Sequence, residues 1–144
     1  MNNQPQKPIQ QSPQVGKKSI LVAEDDKFYA NIYKAKLTRE GYDVIIAEDG
    51  EKTLEAAREK KPDLILLDLI MPVKDGFETL KELRADEKLK DIKVIVLSNL
   101  GQEEDIKKVK DLGIVDYLVK TNVSIQKVVD KVKEHLAQSY ANSR

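Results

Sequence analysis

The segment Pro62–Gly76, PDLILLDLIMPVKDG, decides the fold. A short apolar run, Leu64–Leu67, ends abruptly in the carboxylate of Asp68, and Pro72 and Gly76 then break the chain. An apolar run of this length bounded by breakers suits a strand buried on both faces. Asp68 sits where that strand emerges, and a charge is costly to bury there without a partner. An isolated acid at such a point asks for a cation, a base or a chemical task.

On either side of this segment the pattern is regular. Ser19–Ala23, Asp43–Ala47, Ile92–Leu97 and Val115–Val119 read as further strands. Between them the apolar spacing is helical over Phe28–Glu40, Glu51–Lys60, Phe77–Arg84, Gln102–Leu112 and Ser124–Gln138. The inward residues expected on these helices are Phe28, Ile32, Ala35 and Leu37 on the first, then Leu54 and Ala57, then Phe77, Leu80 and Leu83. Ile106, Val109 and Leu112 follow on the fourth, and Ile125, Val128, Val129, Val132 and Leu136 on the last. Gly41, Lys61-Pro62 and Gly113 supply stops, and Asp26 and Ser124 supply N-caps. Five strands alternating with five helices predict an α/β fold, a parallel sheet covered on both sides. Right-handed crossovers bring every strand's C-terminal end to one edge, where such sheets bind ligands.

Residues 1–17 are rich in Gln, Asn and Pro and read as a flexible tail. The folded domain is expected over 18–138, with a short C-terminal tail over 139–144.

Composition narrows the chemistry. The 144 residues suffice for one domain with a proper core. Twenty-five basic and 25 acidic residues balance to a net charge of zero, against nucleic-acid or membrane-surface binding by bulk electrostatics. No cysteine is present, which excludes disulfides, thiol catalysis and thiolate metal sites. With one histidine, His135, any metal must be a hard ion held by oxygen, such as Mg2+. No apolar run reaches the roughly 20 residues of a membrane helix, and the N-terminus lacks the pattern of a secretory signal. The expectation is a soluble, cytoplasmic protein.

The carboxyl edge collects Glu24, Asp25 and Asp26 after the first strand, Asp68 after the third, Ser98 after the fourth and Lys120 after the fifth. Crowded carboxylates either raise a pKa or recruit a cation. A carboxylate nucleophile, a divalent ion, a hydroxyl and an ammonium together describe phosphoryl transfer onto aspartate. Asp26 reads as a cap, Asp75 as a turn residue and His135 as a solvated side chain. Glu103–Lys107 and Glu104–Lys108 read as pairs along a wet helix face.

These pieces carry a resemblance. ILVAEDD (20–26), AEDG (47–50), PDLILLDLIMPVKDGFE (62–78), VIVLS (94–98) and DYLVK (116–120) resemble a response-regulator receiver domain of two-component signalling, similar to single-domain chemotaxis-type regulators. The resemblance covers about residues 18–138. It implies the flavodoxin-like, doubly wound five-stranded sheet, and the strand order 2-1-3-4-5 is taken from that family. It also implies that Asp68 is the phosphoacceptor and that Asp25, Asp68 and the Ile70 backbone carbonyl hold Mg2+, with Glu24 acting through water. Lys120 would pair with Asp68 and then with the phosphoryl group. Ser98 would be the switch hydroxyl and Tyr117 the aromatic that turns inward.

The implied function is a phosphorylation-dependent switch fed by a histidine kinase or phosphotransfer protein. It would have at most Mg2+-dependent self-phosphorylation and self-dephosphorylation. Output would pass to a downstream protein or through self-association, without direct nucleic-acid or membrane contact, or through a domain outside this sequence.

The family usually has proline after the last lysine. Here it is Thr121, and a cis peptide is costly without proline. Ile70, two residues after the acceptor, is apolar and implies slow self-hydrolysis. A dehalogenase-like phosphatase would need an acid at that position. A flavodoxin-type module would need a Ser/Thr/Gly-rich loop where Glu24-Asp25-Asp26-Lys27 stands.

Overall fold

The computed structural model describes residues 17–142, and the side chains up to Ala137. The predicted N-terminal tail, apart from Lys17, lies outside the described residues. The elements run β1 (Ser19–Ala23), α1 (Lys27–Arg39), β2 (Asp43–Ala47), α2 (Gly50–Lys60), β3 (Leu64–Leu67) and α3 (Gly76–Ala85). They continue with β4 (Lys93–Ser98), α4 (Glu103–Leu112), β5 (Asp116–Val119), a single 3-10 turn over Lys120–Asn122, and α5 (Ile125–Asn142). No breaker follows Gln138, and α5 runs on to Asn142.

The five strands form one parallel sheet in the order β2-β1-β3-β4-β5. Alternate strand residues point to opposite faces, and this splits the core in two. Leu21, Ile65, Leu67, Val94 and Val96 pack under α2, α3 and α4 through Leu54, Leu80, Leu83 and Val109. Ile20, Val22, Leu64, Leu66, Ile95 and Leu97 pack under α1 and α5 through Tyr33, Leu37, Val128, Val129 and Val132. β3 is buried at all four positions, as expected of a central strand covered on both sides. Each such leucine contributes roughly 1.5–3 kcal/mol of burial.

Four of the five helix starts are set by side-chain caps; α4, after Gln102, has none. Asp26 accepts the Phe28 amide at 2.9 Å, Asp49 the Lys52 amide at 2.8 Å, and Asp75 the Glu78 amide at 2.9 Å. Ser124 Oγ accepts the Lys127 amide at 3.0 Å. Asp75 is therefore more than a turn residue, because it closes the first turn of α3.

Three local expectations need correction. On α1 the buried stripe is Ala30, Tyr33 and Leu37, while Phe28 is 68% exposed, Ala35 is exposed and Ile32 is half-buried. Phe28 lies in the first turn of α1, two residues after the Asp26 cap, and its exposure shows that no core lies beneath it there. On α4, Lys107 pairs with Asp111 at 2.9 Å instead of Glu103. Lys108 lies over the Phe77 ring, 4.4 Å from its centroid, so its partner is an aromatic face rather than Glu104. His135 is not solvated: its side chain is 12% exposed and Nε2 lies 3.0 Å from Asp116 Oδ2.

Candidate functional site

Strand register brings the candidate acids together. Ala23 pairs with Leu67, so the next residues, Glu24 and Asp68, leave the sheet side by side. The Asp68 amide still donates to the Ala23 carbonyl at 3.1 Å, which holds Asp68 in the extended strand line. Glu24 and Asp68 are buried and Asp25 is exposed. One carboxylate oxygen from each of the three lies within 4.8 Å of the others.

Lys120 enters from the end of β5. Its Nζ donates to Asp68 Oδ2 at 2.8 Å and reaches Glu24 Oε1 at 2.6 Å. The second oxygen of each acid takes a backbone amide: Glu24 Oε2 accepts from Asp26 at 3.1 Å, and Asp68 Oδ1 from Ile70 at 3.1 Å. Burial pushes the Glu24 carboxyl above its ordinary value. The Lys120 hydrogen bond opposes that, and the neighbouring Asp68 charge adds to it. Burial would depress the Lys120 ammonium, but Asp68 and Glu24 outweigh it and raise its pKa.

Three carboxylates against one ammonium leave two negative charges at the sheet edge. An all-oxygen donor set of that charge fits a hard divalent ion. The oxygens are spread over little more than the ~4 Å across an octahedral Mg2+ shell. The donor chemistry therefore fits the expected metal.

Ser98 is fully buried at the end of β4. Neither it nor Tyr117 hydrogen-bonds to the carboxylates among the described residues. They are linked to each other through Leu100, whose amide donates to Ser98 Oγ at 3.4 Å and whose carbonyl accepts the Tyr117 hydroxyl. The Lys120–Thr121 peptide is trans, and the Thr121 amide donates to Asn99 Oδ1 at 3.1 Å. Lys120 thus reaches Asp68 without the family's proline.

Two features of the site escaped the sequence reading. Gly76 packs against the Asp68 backbone, where a Cβ would fall within 3.0 Å of the Asp68 carbonyl group. Tyr29 lies against Lys120, with Nζ 4.9 Å from its ring centroid. The available signal was the spacing of Tyr29 and Tyr33, four apart on one helix and just past the acidic triplet.

The model of the response regulator receiver domain matches residues 20–133. The chain belongs to the response-regulator receiver family. Response regulator RR06 of Streptococcus pneumoniae serotype 2 is 41% identical to this receiver over 122 residues, 85% of this chain and 54% of that protein. The chain spans about half the length of the curated relatives it matches. The phosphorylated cyanobacterial phytochrome response regulator RcpA superposes with a TM-score of 0.74 at 32% identity. That alignment covers 81% of this chain and 91% of the other. The Mn2+-bound form of response regulator Rcp1 gives 0.72 at 31% identity, with the same coverage of both chains. The five-stranded parallel sheet in order 2-1-3-4-5 is the flavodoxin-like receiver fold. The receiver thus belongs to two-component signalling. No helix among the described residues is long and apolar enough to cross a membrane.

Proposed function

We propose that this receiver takes a phosphoryl group on Asp68 from a histidine kinase or phosphotransfer protein, with Mg2+ at the acidic edge. The reading rests above all on the Asp68–Lys120 contact of 2.8 Å beside the Glu24 and Asp25 carboxylates. It is also supported by the family and by similarity to a phosphorylated and a Mn2+-bound response regulator.

Asp25, Asp68 and the Ile70 carbonyl would hold the ion. Glu24, whose two oxygens already accept from Lys120 and the Asp26 amide, would act through water. When bound, the ion neutralises the carboxylates and the phosphoryl oxygens. Asp68 is the nucleophile: a carboxylate oxygen bonds to phosphorus as the bond from phosphorus to the donor's imidazole nitrogen breaks; the electron pair stays on that nitrogen, and the ring, which carries a proton on its other nitrogen, leaves as neutral imidazole. Lys120 is already desolvated and oriented, so its charge meets the incoming oxygens with little reorganisation. The Ser98 hydroxyl turns from Leu100 toward the new phosphoryl group.

That movement reaches Tyr117 through Leu100, which both side chains contact. The face of α4, β5 and α5 then changes its preference for a downstream protein or a second receiver, a population shift biased by phosphorylation. The receiver acts as a phosphoacceptor switch in the cytoplasm, with at most Mg2+-dependent self-phosphorylation and self-dephosphorylation.

Intact mass after incubation with acetyl phosphate and Mg2+ tests the reading. The native protein gains one phosphoryl group, about 80 Da, and Asp68→Asn gains none. Equal labelling of both proteins refutes the assignment.

A further inference from the structure

The Lys120 ammonium has three N–H donors. Glu24 and Asp68 face two of its sides at 2.6 and 2.8 Å. Tyr29 faces another, with its ring centroid 4.9 Å from Nζ. The lysine side chain is only 6% exposed, so the ring stands where water would otherwise solvate the charge. A cation over a ring face is favoured by the ring's quadrupole, and more strongly when desolvated.

The ring itself is held. Tyr29 stacks on Tyr33 with centroids 6.0 Å apart and planes at 22°, and Phe28 meets it edge-on at 5.6 Å. Tyr33 is buried in the core under α1, with burial pushing its hydroxyl up to about 12. Tyr33 also lines a crevice with Glu24, Leu66 and Asp68 that is too narrow for a water molecule. The Asp26 cap fixes the first turn of α1 and so sets where Tyr29 projects.

We infer that Tyr29, braced by Tyr33, is a positioning residue that holds the Lys120 ammonium against Asp68 and shields that side of it from water. The role depends on the phosphoacceptor reading above, since it acts through Lys120. Both aromatic rings lie outside the acid, hydroxyl and lysine set, and their contribution is geometric: they limit where the ammonium can go. A phenylalanine ring keeps the face and the stack, whereas a leucine keeps only apolar bulk.

The test combines two readouts on the full chain. The first is the proton shift of the Lys120 ε-methylene, which a ring face moves upfield. The second is the rate of phosphoryl uptake from acetyl phosphate with saturating Mg2+, followed by intact mass. Tyr29→Leu is expected to lose the upfield displacement and to slow uptake by about tenfold. Tyr29→Phe keeps the displacement and restores the rate to within about twofold. Should Tyr29→Leu fail to fold, Tyr29→Met provides the same pair of readouts. An unchanged lysine shift or an unchanged rate in the aliphatic variant overturns the positioning role, while native uptake that vanishes in Asp68→Asn leaves the phosphoacceptor reading standing. Absence of uptake by the native protein overturns both.

Discussion

Glu24 Oε1 and Asp68 Oδ2 share one ammonium, Lys120 Nζ, at 2.6 and 2.8 Å. The two acids leave neighbouring strands, and the lysine comes from the end of the edge strand β5. All three side chains are almost wholly buried. Removing one member of a buried charge set typically costs about 3–5 kcal/mol, because the remaining charges lose their partner. Lys120→Met is therefore expected to lose about that much stability in EDTA. Mg2+ is expected to restore part of it, with a larger gain than in the native protein. Urea unfolding with and without the ion checks this, and equal Mg2+ gains in both proteins would contradict it.

Gly76 is required by its close approach to the Asp68 backbone. A methyl group there meets the Asp68 carbonyl group and Leu69 Cα, which are backbone atoms with little freedom to move. Gly76→Ala is expected to cost about 1–3 kcal/mol by overpacking. It also displaces Asp68, so phosphoryl uptake should fall even in the fraction that folds. Circular dichroism beside the mass assay separates the two effects. Native-like uptake in the folded variant would count against the proposed dependence.

Val73 adopts φ 70° in the loop after β3, and the residue is 78% exposed. A left-handed conformation costs an L-residue roughly 1–2 kcal/mol, and β-branching makes it worse. Val73→Gly relieves that strain but returns some of the gain through a freer unfolded chain. The net expectation is a stabilisation of roughly 1 kcal/mol. A lower urea midpoint than native would refute it.

Asp116 gives the protein an acid-sensitive contact away from the site. Burial pushes its carboxyl up, yet hydrogen bonds from His135 and the Tyr117 amide, with the Lys131 charge, hold it below its ordinary value of 3.8. A depressed folded pKa means that the unfolded chain binds the proton more readily. The contribution is therefore present above the ordinary carboxylate value and fades as pH falls through the folded one. Asp116→Asn should be less stable than native at about pH 5. The gap should close toward about pH 3 in urea titrations at each pH. A gap that widens on acidification would oppose this sign.

The sheet and the buried acid at its edge were legible because β3 is a continuous apolar run with one acid, Asp68, at its end. The strand order came from the family resemblance, since alternation by itself says nothing about which strands are neighbours. Spacing placed Leu54, Ala57, Leu80 and Leu83 inward correctly. It misplaced Phe28, because periodicity does not reveal that no core lies beneath a helix's first turn. His135 was hidden for a different reason: its partner Asp116 is 19 residues away and on another element. The Tyr29–Tyr33 spacing placed Tyr29 near the acidic triplet, but nothing local to either residue specifies its meeting with Lys120.

Asp68 and its counter-ion Lys120 are 52 residues apart in the chain. During synthesis Asp68 leaves the ribosome well before Lys120, and β5 must dock against β4 before the ammonium arrives. Chemical competence is thus a late product of folding. A nascent or clipped chain lacking that final strand would carry the acid without its ammonium partner.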